Sequence, residues 1–118
     1  MEDYLNSAEL IRLQLEAEGF TVLHAANAEA ALALAVQQPL SLITLDIILP
    51  GMDGWEFLES IAREPSLKSI PVLIISIVAD RNKGFELGAA AVLQKPISRR
   101  ELYASLVDLG LFPLQEAV

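Results

Sequence analysis

The chain has 118 residues, which fits one compact domain with a single core. Its 16 acidic and 8 basic side chains give a formal net charge of −8, so counterion release does not favour nucleic acid as a partner. The hydrophobic fraction of 53% excludes a disordered chain. The absence of cysteine excludes disulfides, thiolate metal ligands and cysteine nucleophiles.

The sequence predicts neither a membrane span nor an export signal. No apolar run approaches the roughly 18 residues that cross a bilayer. The first residues, Met1 to Tyr4, are acidic where a signal peptide is basic. We therefore expect a cytoplasmic protein without a membrane partner, with a domain over residues 1–109 and a C-terminal tail over residues 110–118.

The first third of the sequence alternates between helical and β patterns. A capping pattern at Asn6 opens a predicted helix that ends at Gly19. The short stretch from Phe20 to His24 is rich in β-forming residues and predicts a strand. An Ala/Leu helix follows, capped by Asn27 and stopped by Pro39.

The middle of the sequence carries the most apolar segments. Leu40 to Ile48 and Pro71 to Ser76 are almost continuously apolar, which is typical of strands covered on both faces in a parallel sheet. An amphipathic helix is predicted between them, from Trp55 to Arg63. A weaker helix from Arg81 to Leu87 precedes a short strand from Ala91 to Gln94.

Two further patterns mark helix starts. Ser98 and Glu101 have the spacing of a capping box and open the last predicted helix, which runs to about Leu109. Asp53 beside Gly54 is interpreted as a turn or cap residue rather than a catalytic one.

Strands separated by single helices imply parallel pairing in a doubly wound α/β fold, whose sites lie at the carboxyl ends of the strands.

Polar side chains recur at these predicted strand ends. Glu2 and Asp3 precede the first helix, and Asp46, Ser76 and Lys95 each end or follow a later strand. Carboxylates within about 5 Å of each other repel by about 3 kcal/mol per pair near a protein surface, so they need a proton, a cation or a larger separation, and we favour a divalent cation. Oxygen donors without cysteine favour Mg²⁺. An ionised Asp46 can attack phosphorus while Mg²⁺, Ser76 and Lys95 stabilise the oxygens of the transferring group.

Four motifs occur in order along the chain. They are Glu2-Asp3, the run LDIILPGMDG from Leu45 to Gly54, the run PVLIIS from Pro71 to Ser76, and Gly88-Ala89 leading to Lys95-Pro96. Together they resemble the receiver domain of two-component response regulators over nearly the whole chain. The resemblance implies a flavodoxin-like doubly wound parallel sheet. The part from Ser76 to Pro96 further resembles receivers attached to hybrid sensor kinases.

The resemblance also implies roles for single residues. Asp46 would accept a phosphoryl group from a histidine kinase or phosphotransfer protein, while the downstream protein partner stays open. Ser76 and Lys95 would contact the phosphoryl oxygens, and the Lys95-Pro96 bond is a candidate for the cis form. The implied Mg²⁺ ligands are Glu2, Asp3, Asp46 and the backbone carbonyl of Ile48.

The chain departs from the family pattern at the first strand. The family has a hydrophobic strand before its acidic pair, and only Met1 stands there in this sequence. In the strand order 2-1-3-4-5 its loss removes roughly five buried side chains, at about 1.5–3 kcal/mol each. Three replacements stay open: direct pairing of the second predicted strand (Phe20 to His24) with the third (Leu40 to Ile48), a segment from another protomer, or a longer polypeptide. Leu109 to Phe112 is a candidate donor segment, and we favour a homodimer, segment-swapped or otherwise obligate, over a monomer.

Further departures concern signalling. Val92 stands where the family commonly carries an aromatic ring that rotates with the hydroxyl after phosphorylation, so that readout cannot operate unchanged. Ile77 occupies a position that is usually small and would narrow access to Asp46. Ile48 and Val78 would place apolar groups on the path of attacking water, which predicts slow hydrolysis of an aspartyl-phosphate.

Two other functions are compatible with parts of the sequence. A degenerate receiver would act as a protein-interaction or dimerisation module without phosphorylation, which the missing strand and Ile77 favour. A phosphatase of the haloacid dehalogenase type would need a second Asp two residues after its nucleophile, where this chain has Ile48. We therefore expect a signalling module and not an enzyme.

Overall fold

A computed structural model of the chain describes residues 4–5, 7–25, 28–37, 40–48, 53–64, 69–78 and 80–111. The chain divides into two compact units, one formed by Met1–Val22 with Pro96–Val118 and the other by Leu23–Lys95. Within the described ranges, no helix combines the length and the apolar character that a membrane span requires.

The secondary structure alternates along most of the chain, as the sequence predicts. In chain order the elements are β1 (Tyr4–Leu5), α1 (Ala8–Ala17), α2 (Ala28–Gln37), β2 (Ile43–Leu45), α3 (Gly54–Arg63), β3 (Val72–Ser76), α4 (Arg81–Glu86), β4 (Ala91–Gln94), β5 (Ile97–Ser98) and α5 (Arg99–Asp108).

The second unit contains a parallel three-stranded sheet in the order β2-β3-β4. Leu45 of β2 pairs with Ile74 of β3, and Ser76 of β3 pairs with Gln94 of β4. All five residues of the central strand β3 are buried, which confirms the prediction of a strand covered on both faces. The ends of these strands carry the polar residues described below.

The core of this unit lies between one face of the sheet and α3. Phe57, Leu58 and Ile61 are almost fully buried because their spacing puts them on one side of the helix. They pack in a cluster whose other buried members are Leu45, Ile47, Val72, Ile74, Ala89 and Val92. Since each buried side chain of this size contributes about 1.5–3 kcal/mol, this cluster fixes α3 against the strands that carry the site.

The first unit consists of β1 paired antiparallel with β5, together with α1 and α5. Helix α1 buries Ile11 and Leu15, which are four residues apart and therefore share a face. Helix α5 starts with the predicted capping box: Glu101 N–H donates to the Ser98 hydroxyl, and Ser98 N–H donates to the Glu101 carboxylate.

Three helices end in the same hydrogen-bond pattern, with a glycine in the left-handed region directly after the cap. These glycines are Gly19, Gly88 and Gly110. After α1, Gly19 N–H donates to Glu16 and Phe20 N–H donates to Leu15, which is the Schellman arrangement.

One predicted strand is absent next to such a helix end. The described residues 20–24 form no strand, and the Phe20 N–H donates to the end of α1. The proposed direct pairing of residues 20–24 with the strand predicted at residues 40–48 is therefore absent. Leu111 N–H likewise donates to the Leu106 carbonyl at the end of α5. The exchange of the segment from Leu109 to Phe112 between protomers stays a prediction. Phe112 lies outside the described residues.

Other boundaries are shifted or untested. The N-cap of α1 is Ser7, whose hydroxyl accepts from Leu10 N–H, and not Asn6 as predicted. Asn27 lies outside the described residues. Strand β2 is limited to Ile43–Leu45, shorter than the apolar run that predicted it.

Candidate functional site

The parallel register brings three of the predicted site residues to one edge of the sheet. Asp46 directly follows β2, Ser76 ends β3 and Lys95 directly follows β4. Because the three strands are parallel, their carboxyl ends lie side by side. The ladder continues past β4, where Lys95 N–H donates to the Ser76 carbonyl over 2.9 Å.

The Asp46 carboxylate accepts hydrogen bonds from three separate donors. The Ser76 hydroxyl donates to Oδ1 over 2.8 Å, and Ile48 N–H donates to the same oxygen over 3.0 Å. Lys95 Nζ donates to Oδ2 over 3.1 Å and forms an ion pair with it. The sequence-predicted residues Asp46, Ser76 and Lys95 therefore meet at one carboxylate.

The site is open at the carboxylate and closed at its partners. The Asp46 side chain is 36% exposed and the Lys95 side chain 13% exposed. Ser76 is fully buried, and its hydroxyl also accepts from Val78 N–H over 3.2 Å, so both its donor and its acceptor functions are used. A reactant can thus reach Asp46 from solvent while the donors around it stay fixed.

Two opposing effects act on the pKa of Asp46. Burial is the largest of them and raises the pKa, since it disfavours the charged form. The hydrogen bonds from Ile48, Ser76 and Lys95, with the positive charge of Lys95, together outweigh burial and lower the pKa below its ordinary value. Asp46 is therefore an ionised carboxylate at neutral pH.

The loop after β3 is tied to the end of β4 by a contact that the sequence did not indicate. Gln94 Nε2 donates to the Ile77 carbonyl over 3.3 Å. This bond holds the turn that carries Ile77 and Val78 next to Ser76. A surface glutamine directly before Lys95 carries no signal of such a role, because its side chain can bind any nearby carbonyl or water.

Three exposed apolar residues lie within two positions of Asp46 or Ser76 in the sequence. Ile48 is 57% exposed, Ile77 is 61% exposed, and Val78 is also exposed. We call these three residues the apolar rim. Val92, by contrast, is buried in the core against Gly84, where a side chain on residue 84 would meet it.

Asp53 has the capping role that its sequence context predicts. Its carboxylate accepts from Trp55 N–H over 3.0 Å and thereby caps α3. A carboxylate only seven positions from Asp46 is thus employed in helix structure.

Glu2 and Asp3, the remaining predicted metal ligands, lie outside the described residues. Within the ranges that the structure describes, no group of three or more His, Cys, Asp or Glu side chains gathers. The candidate donors in those ranges are the Asp46 carboxylate and the Ile48 carbonyl. Both are oxygen donors, and this chemistry fits Mg²⁺ better than a softer metal.

Comparison with known protein families gives a match over most of this chain. Residues 1–107 match the family model described as the response regulator receiver domain. Response regulator PleD from Caulobacter vibrioides is 33% identical over 117 residues, which cover 97% of this chain and 26% of that protein. The chain spans between about a quarter and a half of the length of the curated relatives that it matches.

Solved structures give the same result for the fold. The signal receiver domain of a signal transduction histidine kinase from Syntrophus aciditrophicus has a TM-score of 0.79 and 26% identity, with 100% of this chain and 91% of that chain covered. The chemotaxis protein CheY4 of Vibrio cholerae has a TM-score of 0.78 and 26% identity, covering 86% of this chain and 87% of that one. The fold is the flavodoxin-like α/β fold that the sequence predicts.

Proposed function

Since this chain belongs to the receiver domain family of response regulators, we propose that it accepts a phosphoryl group on Asp46 from the phosphohistidine of a histidine kinase or phosphotransfer protein. The observation that carries this proposal is the convergence of Ser76 and Lys95 on the Asp46 carboxylate, over 2.8 and 3.1 Å. An ionised carboxylate, a hydroxyl and an ammonium group are suited to attack phosphorus and to bind its oxygens.

The two carboxylate oxygens of Asp46 differ in their readiness to react. Oδ1 accepts two hydrogen bonds, which occupy its two lone-pair directions, whereas Oδ2 accepts one, from Lys95. Oδ2 therefore attacks phosphorus, the phosphorus–nitrogen bond of phosphohistidine breaks, and the imidazole nitrogen keeps the electron pair. Lys95 and the Ser76 hydroxyl then exchange Asp46 for the phosphoryl oxygens as acceptors.

Mg²⁺ is the proposed cofactor of this transfer. When bound, it offsets the negative charge of the carboxylate and of the phosphoryl group. Asp46 and the Ile48 carbonyl would hold it together with Glu2 and Asp3. The chain's own residues supply the nucleophile and fix its position, and Lys95 supplies the positive charge that stays in place when the metal leaves.

Phosphorylation by a small-molecule phosphodonor tests the proposal. With acetyl phosphate and Mg²⁺, we expect the full chain to incorporate a phosphoryl group, and we expect Asp46→Asn to reduce labelling by at least about 100-fold because the nucleophile is lost. Asp53→Asn is the matched control, since asparagine also caps helices. Equal labelling of the wild type and Asp46→Asn would overturn the assignment.

The apolar rim supports one alternative function. Since Ile77 is 61% exposed beside the site, a receiver that binds a protein partner without phosphorylation is the second candidate. A titration with beryllofluoride and Mg²⁺ separates the two. A phosphoacceptor shows saturable shifts of the amide signals of Asp46, Ser76 and Lys95, whereas the alternative predicts none.

The proposal extends to the protein context of the domain. One similar structure is the receiver domain of a histidine kinase, which supports attachment to a hybrid sensor kinase. Among the described strands, β2 pairs only with β3, so its other edge has no strand partner there. Such an edge can accept a strand from a second copy, which supports the proposed homodimer.

A further inference from the structure

The start of α3 approaches the main chain next to Asp46 very closely. Gly54 N–H donates to the Ile47 carbonyl over 3.0 Å. A Cβ atom built on Gly54 would lie 2.5 Å from Ile47 Cα, 2.6 Å from its carbonyl oxygen and 2.9 Å from its carbonyl carbon. All three are main-chain atoms, so a change of side-chain rotamer cannot relieve the overlap.

The requirement at this position is for space and not for an unusual backbone conformation. Gly54 is not among the described glycines with positive φ, unlike Gly19, Gly88 and Gly110. The cap at Asp53 fixes the first turn of α3, and the buried Phe57 fixes the next turn in the core. The helix start therefore cannot retreat from Ile47 without loss of a cap or of packing.

Ile47 links the two residues whose positions define the nucleophile. On one side is Asp46, and on the other is Ile48, whose N–H donates to Asp46 Oδ1 over 3.0 Å. The Ile47 side chain is itself buried in the core cluster, which limits movement of this segment. A displaced Ile47 main chain would shift the Ile48 N–H relative to the carboxylate.

We propose that Gly54 is a positioning residue for phosphoryl transfer: the lack of a side chain at this position lets α3 hold the main chain of residues 46–48 so that Ile48 N–H binds the Asp46 carboxylate. This inference rests on the proposed role of Asp46. It assigns to α3 the task of orienting the nucleophile.

The matched pair Gly54→Ala and Gly84→Ala tests this inference. Gly84 is also a buried helical glycine, but a Cβ there would meet the side chains of Val92 and Ile74, at 2.7 and 3.2 Å, instead of the main chain beside Asp46. The first readout is the Ile48 amide proton shift of the full chain, without metal or phosphodonor. Asp46→Ala gives the value of an amide that has lost its acceptor.

We expect Gly54→Ala to move the Ile48 amide most of the way to its value in Asp46→Ala, while Gly84→Ala leaves it near the wild-type value. With acetyl phosphate and Mg²⁺, the maximal labelling rate of Gly54→Ala should fall by at least about tenfold with the half-saturating donor concentration unchanged, because misplacement slows the reaction and not the encounter. A folded Gly54→Ala with wild-type amide shift and labelling rate would overturn the inference.

The two readouts separate this inference from the proposed function. If the wild type takes up no phosphoryl group, the proposed function fails, whereas the amide shift still decides whether Gly54 positions Ile48. If Gly54→Ala does not fold, Asp53→Ala loosens the same helix start, and Asp80→Ala removes the equivalent cap of α4 as its control. A shift of the Ile48 amide in Asp53→Ala alone supports the inference, and no difference between these two variants overturns it.

Discussion

Asp46 combines a partly exposed carboxylate with firmly held partners. Its donors come from three places in the chain: the hydroxyl that ends β3, the ammonium group after β4, and a main-chain N–H two residues further along. Only the last of these is local in sequence. The ionised state of the carboxylate thus depends on the parallel register of the sheet as well as on the side chains.

The lowered pKa of Asp46 predicts a specific pH dependence. The carboxylate should stay ionised as the pH falls through about 3.9, the ordinary value for Asp, and take up a proton only below it. Its contribution to folding is present above the unfolded-state pKa and is lost as the pH falls through the lower folded-state pKa. Labelling at Asp46 should follow the same ionisation.

A carboxyl-carbon NMR titration of the full chain without Mg²⁺ measures this pKa directly. Lys95→Met should raise it, because the variant loses both a donor and a positive charge, whereas Lys83→Met should leave it unchanged. Lys83 is a fair control since it lies over the ring of Trp55 and not at the site. A wild-type midpoint at or above the ordinary value would contradict the prediction.

The apolar rim predicts slow loss of the phosphoryl group. Ile48 and Val78 cannot orient an attacking water, so the aspartyl-phosphate should decay over minutes or longer, and a lifetime of seconds would contradict this. Val78→Asn introduces a group that can hold water and should speed decay by about tenfold, well below the full effect of a general base. Val107→Asn on α5 is the control. It makes the same substitution at a valine of nearly equal exposure, 47% against 46% for Val78.

At the scale of single residues, the side chains of the site were predictable from the sequence, and some of their contacts were not. Asp46, Ser76 and Lys95 stand out because each is a polar residue at the end of an apolar run. The Ile48 N–H donor and the Gln94 amide give no such signal, since any residue carries a main-chain N–H and a glutamine can bind many partners. The close approach at Gly54 depends on the packing of α3, which no local pattern records.

Among the helices and strands, helix ends are the features that local sequence predicts best. The capping box at Ser98 was predictable from its spacing and is present in the structure. The N-cap of α1 was misplaced by one residue because Asn6 and Ser7 both have capping side chains. The strand predicted at Phe20–His24 is absent because a strand also needs a neighbour, and its first N–H is used by the end of α1.

The capping box predicts a measurable share of the stability of α5. Ser98→Ala should lower the free energy of unfolding by about 1 kcal/mol, since the N–H of Glu101 loses its acceptor. Ser60→Ala is the comparison within a helix, where the hydroxyl donates to the Glu56 carbonyl and alanine is a better helix former. Urea unfolding of both variants measures this difference. An equal loss in the free energy of unfolding for Ser98→Ala and Ser60→Ala would contradict the role of the cap.

At the scale of the whole molecule, the alternation of strands and helices predicted the fold class correctly. The similar receiver structures agree with it over most of the chain. What occupies the place of the family's first strand was not predictable, because that depends on pairing partners far away in sequence or on a second chain.

The proposed homodimer can be measured without knowledge of its interface. Sedimentation velocity of the full chain should show a dimer whose population rises with concentration, and Thr44→Pro on β2 should weaken it because proline cannot donate a ladder hydrogen bond. Thr21→Pro, outside any described strand, serves as a control of the same chemistry. If the wild type is still a monomer at about 100 μM, its dimer affinity is weaker than that of most specific dimers, and the proposal is contradicted.

The measurement closest to the central proposal is direct mapping of the phosphorylated residue. After reaction of the full chain with a phosphohistidine donor protein and Mg²⁺, borohydride trapping and peptide mass spectrometry identify the carboxylate that received the phosphoryl group. We predict modification at Asp46 and none at Asp53. Modification at another residue, or none under conditions in which the donor transfers to other receiver domains, would contradict the account.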